Sequence, residues 1–462
     1  MSLHHIETEA VGRGRGRARR ALATAVVSSF AIGALANVAA TAAFAAPLST
    51  IDIGGPTGSG MFGKKVLVLA NGNFVVTDPL YDSPTATDVG AVYLYNGATH
   101  ALISTLTGTQ DFDQIGSKGV LEVGSSDLVV LSPSWSNDTE QAAGAVTWID
   151  GTAGLDGEVS PSNSVVGVNT FDFVGTAATV LKNGNVVLTT QTWDNGNFAD
   201  AGAVTLIDGA SGAVGPVDAT NSLVGSKNGD QIGLGGIVEL TNGNFLVRST
   251  LWDNGAAKDA GALTFVNGVT GLTGPVNAAN SLVGTTTGDN IGARVTALSN
   301  GNYVASSELW NRGAIVDAGA STWGNGVTGT VGAVTTANSL VGAATSDFVG
   351  IGGVTALTNG NYVVNSPSAA IGAATAGAAT WGNGATGTTG VVAAANSTVG
   401  AAAGAQASKG GTLALSNGNY VVISPLADVG GTDSGAATWG NGATGSTRRR
   451  HGREQPGRRI CR

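Results

Sequence analysis

The stretch Gly236-Ile237-Val238-Glu239-Leu240-Thr241-Asn242-Gly243-Asn244-Phe245-Leu246-Val247-Arg248-Ser249 decides the fold. Two apolar runs flank an Asn-Gly pair, the strongest short signal for a hairpin, because both residues accept the positive φ of a tight turn. The pattern predicts strands over Gly236–Thr241 and Phe245–Ser249. A polar loop, Trp252–Ala260, then leads to a third strand, Gly261–Phe265. Asn267-Gly268 turns the chain again, and Asn280–Gly284 supplies a short fourth strand.

This unit recurs. Asn-Gly-Asn begins at Asn71, Asn183, Asn242, Asn300, Asn359 and Asn417. The steps are 58 or 59 residues, except a first gap of 112, which is two periods. Gly124-Ser125-Ser126 is expected to stand in for the absent copy. Seven repeats result, near residues 56–110, 111–170, 171–228, 229–287, 288–345, 346–402 and 403–447. The predicted fold class is all-β: about seven four-stranded antiparallel blades in a β-propeller, whose closure would remove exposed sheet edges. A β-solenoid-like array is the alternative, although solenoid coils usually run to about 20–30 residues, so each repeat would span more than one.

Composition agrees with short strands and tight turns: 73 of 462 residues are glycine, 42% are hydrophobic and 11% are charged. Such a chain does not fit the low-hydrophobicity, high-charge signature of disorder. The net charge of −9 is unevenly spread. Between Ala46 and Thr447 there are 10 Lys and Arg against 28 Asp and Glu, about −18 for the body. That sign repels phosphate backbones, so nucleic acid is not an expected partner. The only cysteine is Cys461, so the body has no disulfide and no thiolate metal site.

Residues 1–45 read as a secretory signal peptide. Basic Arg13–Arg20 precede an apolar run, Ala21–Phe44, that ends in the small-residue site Ala43-Phe44-Ala45, with cleavage expected near Ala45. No later run is long and apolar enough to span a bilayer, so a secreted or surface-exposed chain without a transmembrane segment is expected. After Thr447 the composition breaks into residues 448–462, with seven arginines. Read one base later, codons for Arg453–Arg459 can encode Gly-Asn-Ser-Leu-Val-Gly, so this basic tail is expected to be a frameshift product.

Several motifs carry a family resemblance. Met61-Phe62-Gly63, Asp172-Phe173-Val174-Gly175 and Asp347-Phe348-Val349-Gly350, with the strand Gly90-Ala91-Val92-Tyr93, resemble the FG-GAP repeat of integrin-α-type β-propellers. Asn-Gly-Asn-Tyr-Val-Val, Ala-Gly-Ala-x-Thr-Trp and Asn-Ser-Leu-Val-Gly resemble repeats of large bacterial surface proteins described as filamentous-haemagglutinin-like. The resemblance implies a propeller on an exported, adhesive protein. In one respect the sequence departs from it. Many FG-GAP repeats hold an Asp-x-Asp/Asn-x-Asp-Gly calcium loop where this chain has the compact Asn-Gly-Asn turn.

Candidate chemistry is sparse. Only His100 lies in the body, so neither a Ser-His-Asp nor a Cys-His arrangement can be assembled, and no catalytic residue is expected. Acids recur in register: Asp172, Asp230, Asp289 and Asp347 precede the first strand, and Asp88, Asp200, Asp259, Asp317 and Asp433 approach the third. Acceptance of backbone amides in Asx turns explains them. The sharper reading groups Asp194, Asn195 and Asp200, and likewise Asp253, Asn254 and Asp259, as weak oxygen-ligand sites for Ca²⁺. Two aromatic columns are visible as well. Leu94, Trp148, Leu206, Phe265, Trp323, Trp381 and Trp439 are expected to pack repeat on repeat. Tyr81, Trp135, Trp193, Trp252 and Trp310 open the polar loop, and as a row of exposed rings they would bind glycans or a partner surface protein. Their lapse to Ala369 and Ala427 ends that row. Three functions remain: a non-catalytic binding or adhesion module, a structural spacer of a larger surface protein, and a carbohydrate-active enzyme using paired carboxylates.

Overall fold

A computed structural model describes residues 50–428, 431–446 and 448–449. The expected leader lies outside the described residues, as does nearly all of the basic tail. The chain divides at Ile53/Gly54, and every repeat belongs to the part that starts at Gly54. Residues 50–53 contain neither helix nor strand. No helix among the described residues is long and apolar enough to cross a membrane.

The protein is an all-β repeat array of seven small sheets. In the fourth repeat the strands are Ile237–Glu239, Phe245–Ser249, Ala262–Val266 and Ser281–Val283, paired in that order and antiparallel. Asn-Gly-Asn closes the first hairpin as expected. Each sheet through the sixth also has a fifth, two-residue strand that the sequence did not announce. Gly332–Ala333 of the fifth repeat runs parallel to Ser281–Val283 of the fourth. Gly274–Pro275 does the same for the third. Two residues carry no period to read, and proline suits an edge position because it has no amide to donate. The seventh repeat contributes three described strands, Thr412–Ala414, Tyr420–Ser424 and Ala436–Gly440. Arg448–Arg449 supplies the fifth strand of the sixth sheet by backbone pairing.

Alternation within each strand puts apolar residues on both faces, because each of the sheets of repeats 2–6 lies between two others. Val129, Leu131, Val146 and Val165 of repeat 2 pack on Val186, Leu188, Ile207 and Val224 of repeat 3. Equivalent clusters join repeats 1 and 2, 3 and 4, 4 and 5, and 5 and 6. First strands of repeats 4, 5, 6 and 7 lie successively beside one another. No hydrogen bond among the described residues joins repeat 7 to repeat 1.

Asn-Gly-Asn is more than a turn: it is a clamp between repeats. The side-chain amides of Asn242 and Asn244 both donate to the carbonyl of Gly326 in the next repeat, at 2.6 and 3.0 Å. Asn183 and Asn185 hold Gly268 in the same way, and Asn300 and Asn302 hold Gly384. Meanwhile the Asn244 side-chain oxygen, Oδ1, accepts the amide of Gly268 within its own sheet at 3.1 Å. A Cβ on Gly268 would overlap the carbonyl oxygen of Gly243, so this approach requires glycine. In repeat 2 Gly124-Ser125-Ser126 forms the turn as expected, and Asp127, the first residue of the next strand, takes the place of the second asparagine. Asp127 keeps one of the bonds, accepting the Gly151 amide at 3.2 Å. Without the asparagine clamp, the Trp148 indole still donates to the Gly209 carbonyl at 3.0 Å, a bond that Trp323 and Trp381 make to Gly384 and Gly442 alongside the clamp.

Candidate functional site

The recurring polar residues gather where the segment entering each repeat meets the polar loop after its second strand. Five aspartates occupy the entering segment: Asp113, Asp172, Asp230, Asp289 and Asp347, all buried. One oxygen of Asp230 accepts the amides of Ser226 and Lys227, at 2.8 and 2.9 Å. Its other oxygen accepts the amide of Asp253, at 3.0 Å, from the polar loop. Burial pushes the carboxyls of Asp113, Asp172 and Asp230 up from the ordinary value, against the opposing pull of these amides. The group is consumed in joining two loops.

The second acidic column is conformational. Asp88, Asp200, Asp259, Asp317 and Asp433 have φ between 49° and 52°. Among residues with a side chain, Asp and Asn accept this left-handed geometry most readily, which explains their recurrence. Within the two candidate calcium groups, Asp194 accepts the amide of Asp200 at 2.7 Å, and Asp253 accepts that of Asp259 at 2.8 Å. The Asn195 and Asn254 side chains donate to the carbonyls of Gly225 and Gly284, both at 2.7 Å. Each trio thus closes its own loop. Among the described residues no group of three or more His, Cys, Asp or Glu side chains is placed to hold a metal ion.

The row of loop aromatics is corrected by the structure. Trp135, Trp193, Trp252 and Trp310 are 3–5% exposed and sit inside the inter-repeat clusters. Tyr81 is half-buried. The rings tuck beneath their own loops because each sheet needs apolar bulk where it meets its neighbour. The four indole N–H groups have no hydrogen-bond partner, so the rings serve as hydrophobic volume. None of these four indoles is free to stack on a ligand.

The other column packs repeat on repeat as expected except at Trp439, which is 56% exposed. The Trp148, Phe265, Trp323 and Trp381 side chains lie against the positions of Gly212, Gly329, Gly387 and Gly445 in the following repeat. Asn221, Asn280 and Asn338 are turn residues. Asn280, for example, accepts the Asn277 amide at 2.9 Å and donates to the Pro275 carbonyl at 3.0 Å. Its oxygen also receives the Ser281 hydroxyl, which is paired with Thr264 in the core.

With these roles on the page, the family match is informative. The model described as "Repeat of unknown function (DUF5650)" matches residues 68–117, 122–176, 180–234, 239–293, 297–351, 356–409 and 414–448. The chain belongs to this family. Seven matches equal the seven repeats, and the second DUF5650 repeat is recognised although it lacks Asn-Gly-Asn. No curated protein matches the chain. Each DUF5650 match in repeats 2–5 runs from the first hairpin through the polar loop to the next buried aspartate, so the repeat as recognised contains the whole loop-joining apparatus.

One feature escaped the sequence reading. Phe112 and Phe171 immediately precede buried aspartates, have φ of 67°, and are 59% and 53% exposed. The signal was available as a bulky residue in a column that otherwise holds Gly229, Gly288, Ser346 and Gly404.

Proposed function

We propose that this chain is an exported, non-catalytic scaffold, a stack of propeller-type blades serving as a structural segment of a bacterial surface protein. The observation that carries this reading is the burial of the loop indoles together with the use of the buried aspartate column and the Asn-Gly-Asn amides in joining loops or repeats. Face-to-face sheets whose first strands are neighbours support the description as blades. The non-catalytic reading rests on His100 as the single histidine of the body, set in a turn with its amide bonded to the Asn96 carbonyl. Export rests on the leader-like residues 1–45.

The scaffold reading makes a direct prediction about the loop indoles. Trp193→Ala and Trp252→Ala should each lower stability by about 3–5 kcal/mol in urea unfolding, the usual range for a large core side chain. Binding to glycan or surface-protein arrays, measured where the variants remain folded, should not change. Loss of binding with stability intact would reverse the assignment. An adhesive role is the second reading. It draws on exposed groups outside the repeating columns, of which Phe112 and Phe171 are the leading examples.

A further inference from the structure

Repeat 3 differs from its neighbours at one place. Phe171 and Phe173 stack with ring centroids 5.6 Å apart and planes inclined by 23°. Both have left-handed backbones, with φ of 67° and 53°. Glycine fills the Phe171 position in repeats 4, 5 and 7 and adopts that geometry without strain. A phenylalanine there gains little from burial and bears the backbone cost, so folding does not account for it.

Beside this pair lies an open pocket of about 270 Å³ lined by Phe173, Thr176, Thr189, Gln191 and Thr192. Its polar groups are partly preset. Thr176 donates its hydroxyl to the Phe173 carbonyl at 2.7 Å, and Thr192 donates to the Asp172 carbonyl at 3.0 Å, which leaves the oxygen lone pairs of both to accept. The side chains of Thr189 and Gln191 make no hydrogen bond among the described residues, so the Gln191 amide retains donors and an acceptor. No ionisable residue lines the pocket.

The pocket is particular to this repeat. At the Gln191 position the other repeats hold Pro79, Pro133, Thr250, Glu308, Pro367 and Pro425, and at the Thr189 position Leu131, Arg248, Ser306, Asn365 and Ile423, with threonine shared only by repeat 1 as Thr77. In repeat 4 the position of Thr189 is taken by Arg248, whose Nε donates to the Gly292 carbonyl of the next repeat at 2.7 Å.

We propose that Phe171, Phe173, Thr176, Thr189, Gln191 and Thr192 form a binding site for one residue of a neutral saccharide. An aromatic wall matches the C–H face of a pyranose ring, and uncharged hydroxyl and amide groups match its equatorial hydroxyls. The volume falls just below the roughly 300 Å³ at which pockets for larger ligands begin, which suits a single sugar ring. The acidic body disfavours anionic glycans over neutral ones. This site goes beyond the scaffold reading and does not depend on it.

Saturation-transfer NMR on the full chain tests the site, with methyl β-glucopyranoside, methyl β-galactopyranoside, methyl α-mannopyranoside and N-acetylglucosamine as probes. At least one should receive saturation, concentrated on the protons of one ring face. Phe171→Gly and Gln191→Ala should each weaken that probe by about tenfold or more. Thr189→Arg, which imports the side chain already accommodated in repeat 4, should abolish binding while the fold persists. Phe171→Gly should leave the melting temperature equal or higher, an outcome a structural role for the ring would not give. Silence from all four probes, binding unchanged in Gln191→Ala, or a lowered melting temperature in Phe171→Gly would each overturn the proposal.

Discussion

Repeats 3 and 6 fill the same core slot by opposite means. In repeat 3, Val186 at the start of the second strand stands opposite Ile207 on the third. In repeat 6 the corresponding pair is Tyr362 and Gly382, and repeats 5 and 7 repeat it as Tyr303 with Gly324 and Tyr420 with Gly440. A Cβ on Gly382 would fall within the Tyr362 ring, so the phenol lies across the bare backbone of its neighbour. Two medium side chains or one large ring over glycine thus meet the same volume requirement. The comparison teaches that repeats 5, 6 and 7 fill this slot with one ring over glycine where repeat 3 uses two medium side chains, and that the glycine ending each of those third strands marks a ring laid over it.

The largest expected effect comes from removing the ring. Tyr362→Ala leaves both partners small and should cost about 3–5 kcal/mol in urea unfolding. Gly382→Ile alone forces a side chain into the ring and should cost about 1–3 kcal/mol. The double variant Tyr362→Val with Gly382→Ile installs the repeat 3 pair and should cost much less than Tyr362→Val alone and Gly382→Ile alone summed. A coupling below about 0.5 kcal/mol in that cycle would break the comparison.

Alkaline pH sharpens it. Burial pushes the Tyr303 and Tyr362 phenols up to about 12 from an ordinary 10.0. Because the folded value is raised, their contribution is complete below pH 10 and is lost as pH rises through 12. Repeats 1–4 carry Phe74, Leu128, Val186 and Phe245 at this position, which do not titrate. Hydrogen exchange between pH 9 and 12 should therefore show repeats 5 and 6 loosening before 3 and 4, and Tyr303→Phe with Tyr362→Phe should flatten that difference. The smallest effect belongs to the clamp. Asn242→Ala removes a donor to Gly326 at a partly exposed turn and should cost about 1 kcal/mol. Repeat 2, which already lacks this asparagine, should be indifferent to Ser125→Ala.

Much of the fold was legible in the sequence. Asn-Gly between apolar runs marks hairpins through its backbone geometry alone, so strands, turns and a period of 58 or 59 residues could be read without coordinates. The roles of Asp172 and Asp230 as amide acceptors were legible for the same reason, since Asp at a turn has local partners. The direction of the loop tryptophans was not. Trp193 and Trp252 look alike whether they face solvent or a neighbouring sheet, because recurrence reports position and says nothing of burial.

Sequence by itself determined that one hairpin-built unit recurs seven times and that its connections are turns, since those features depend on residues near one another in the chain. Tertiary structure alone decided which columns are core, where each fifth strand comes from, and which repeat is left with an open pocket. Those properties belong to the contact between consecutive sheets, and the side chains that meet there lie some sixty residues apart, as with Trp148 and Gly209.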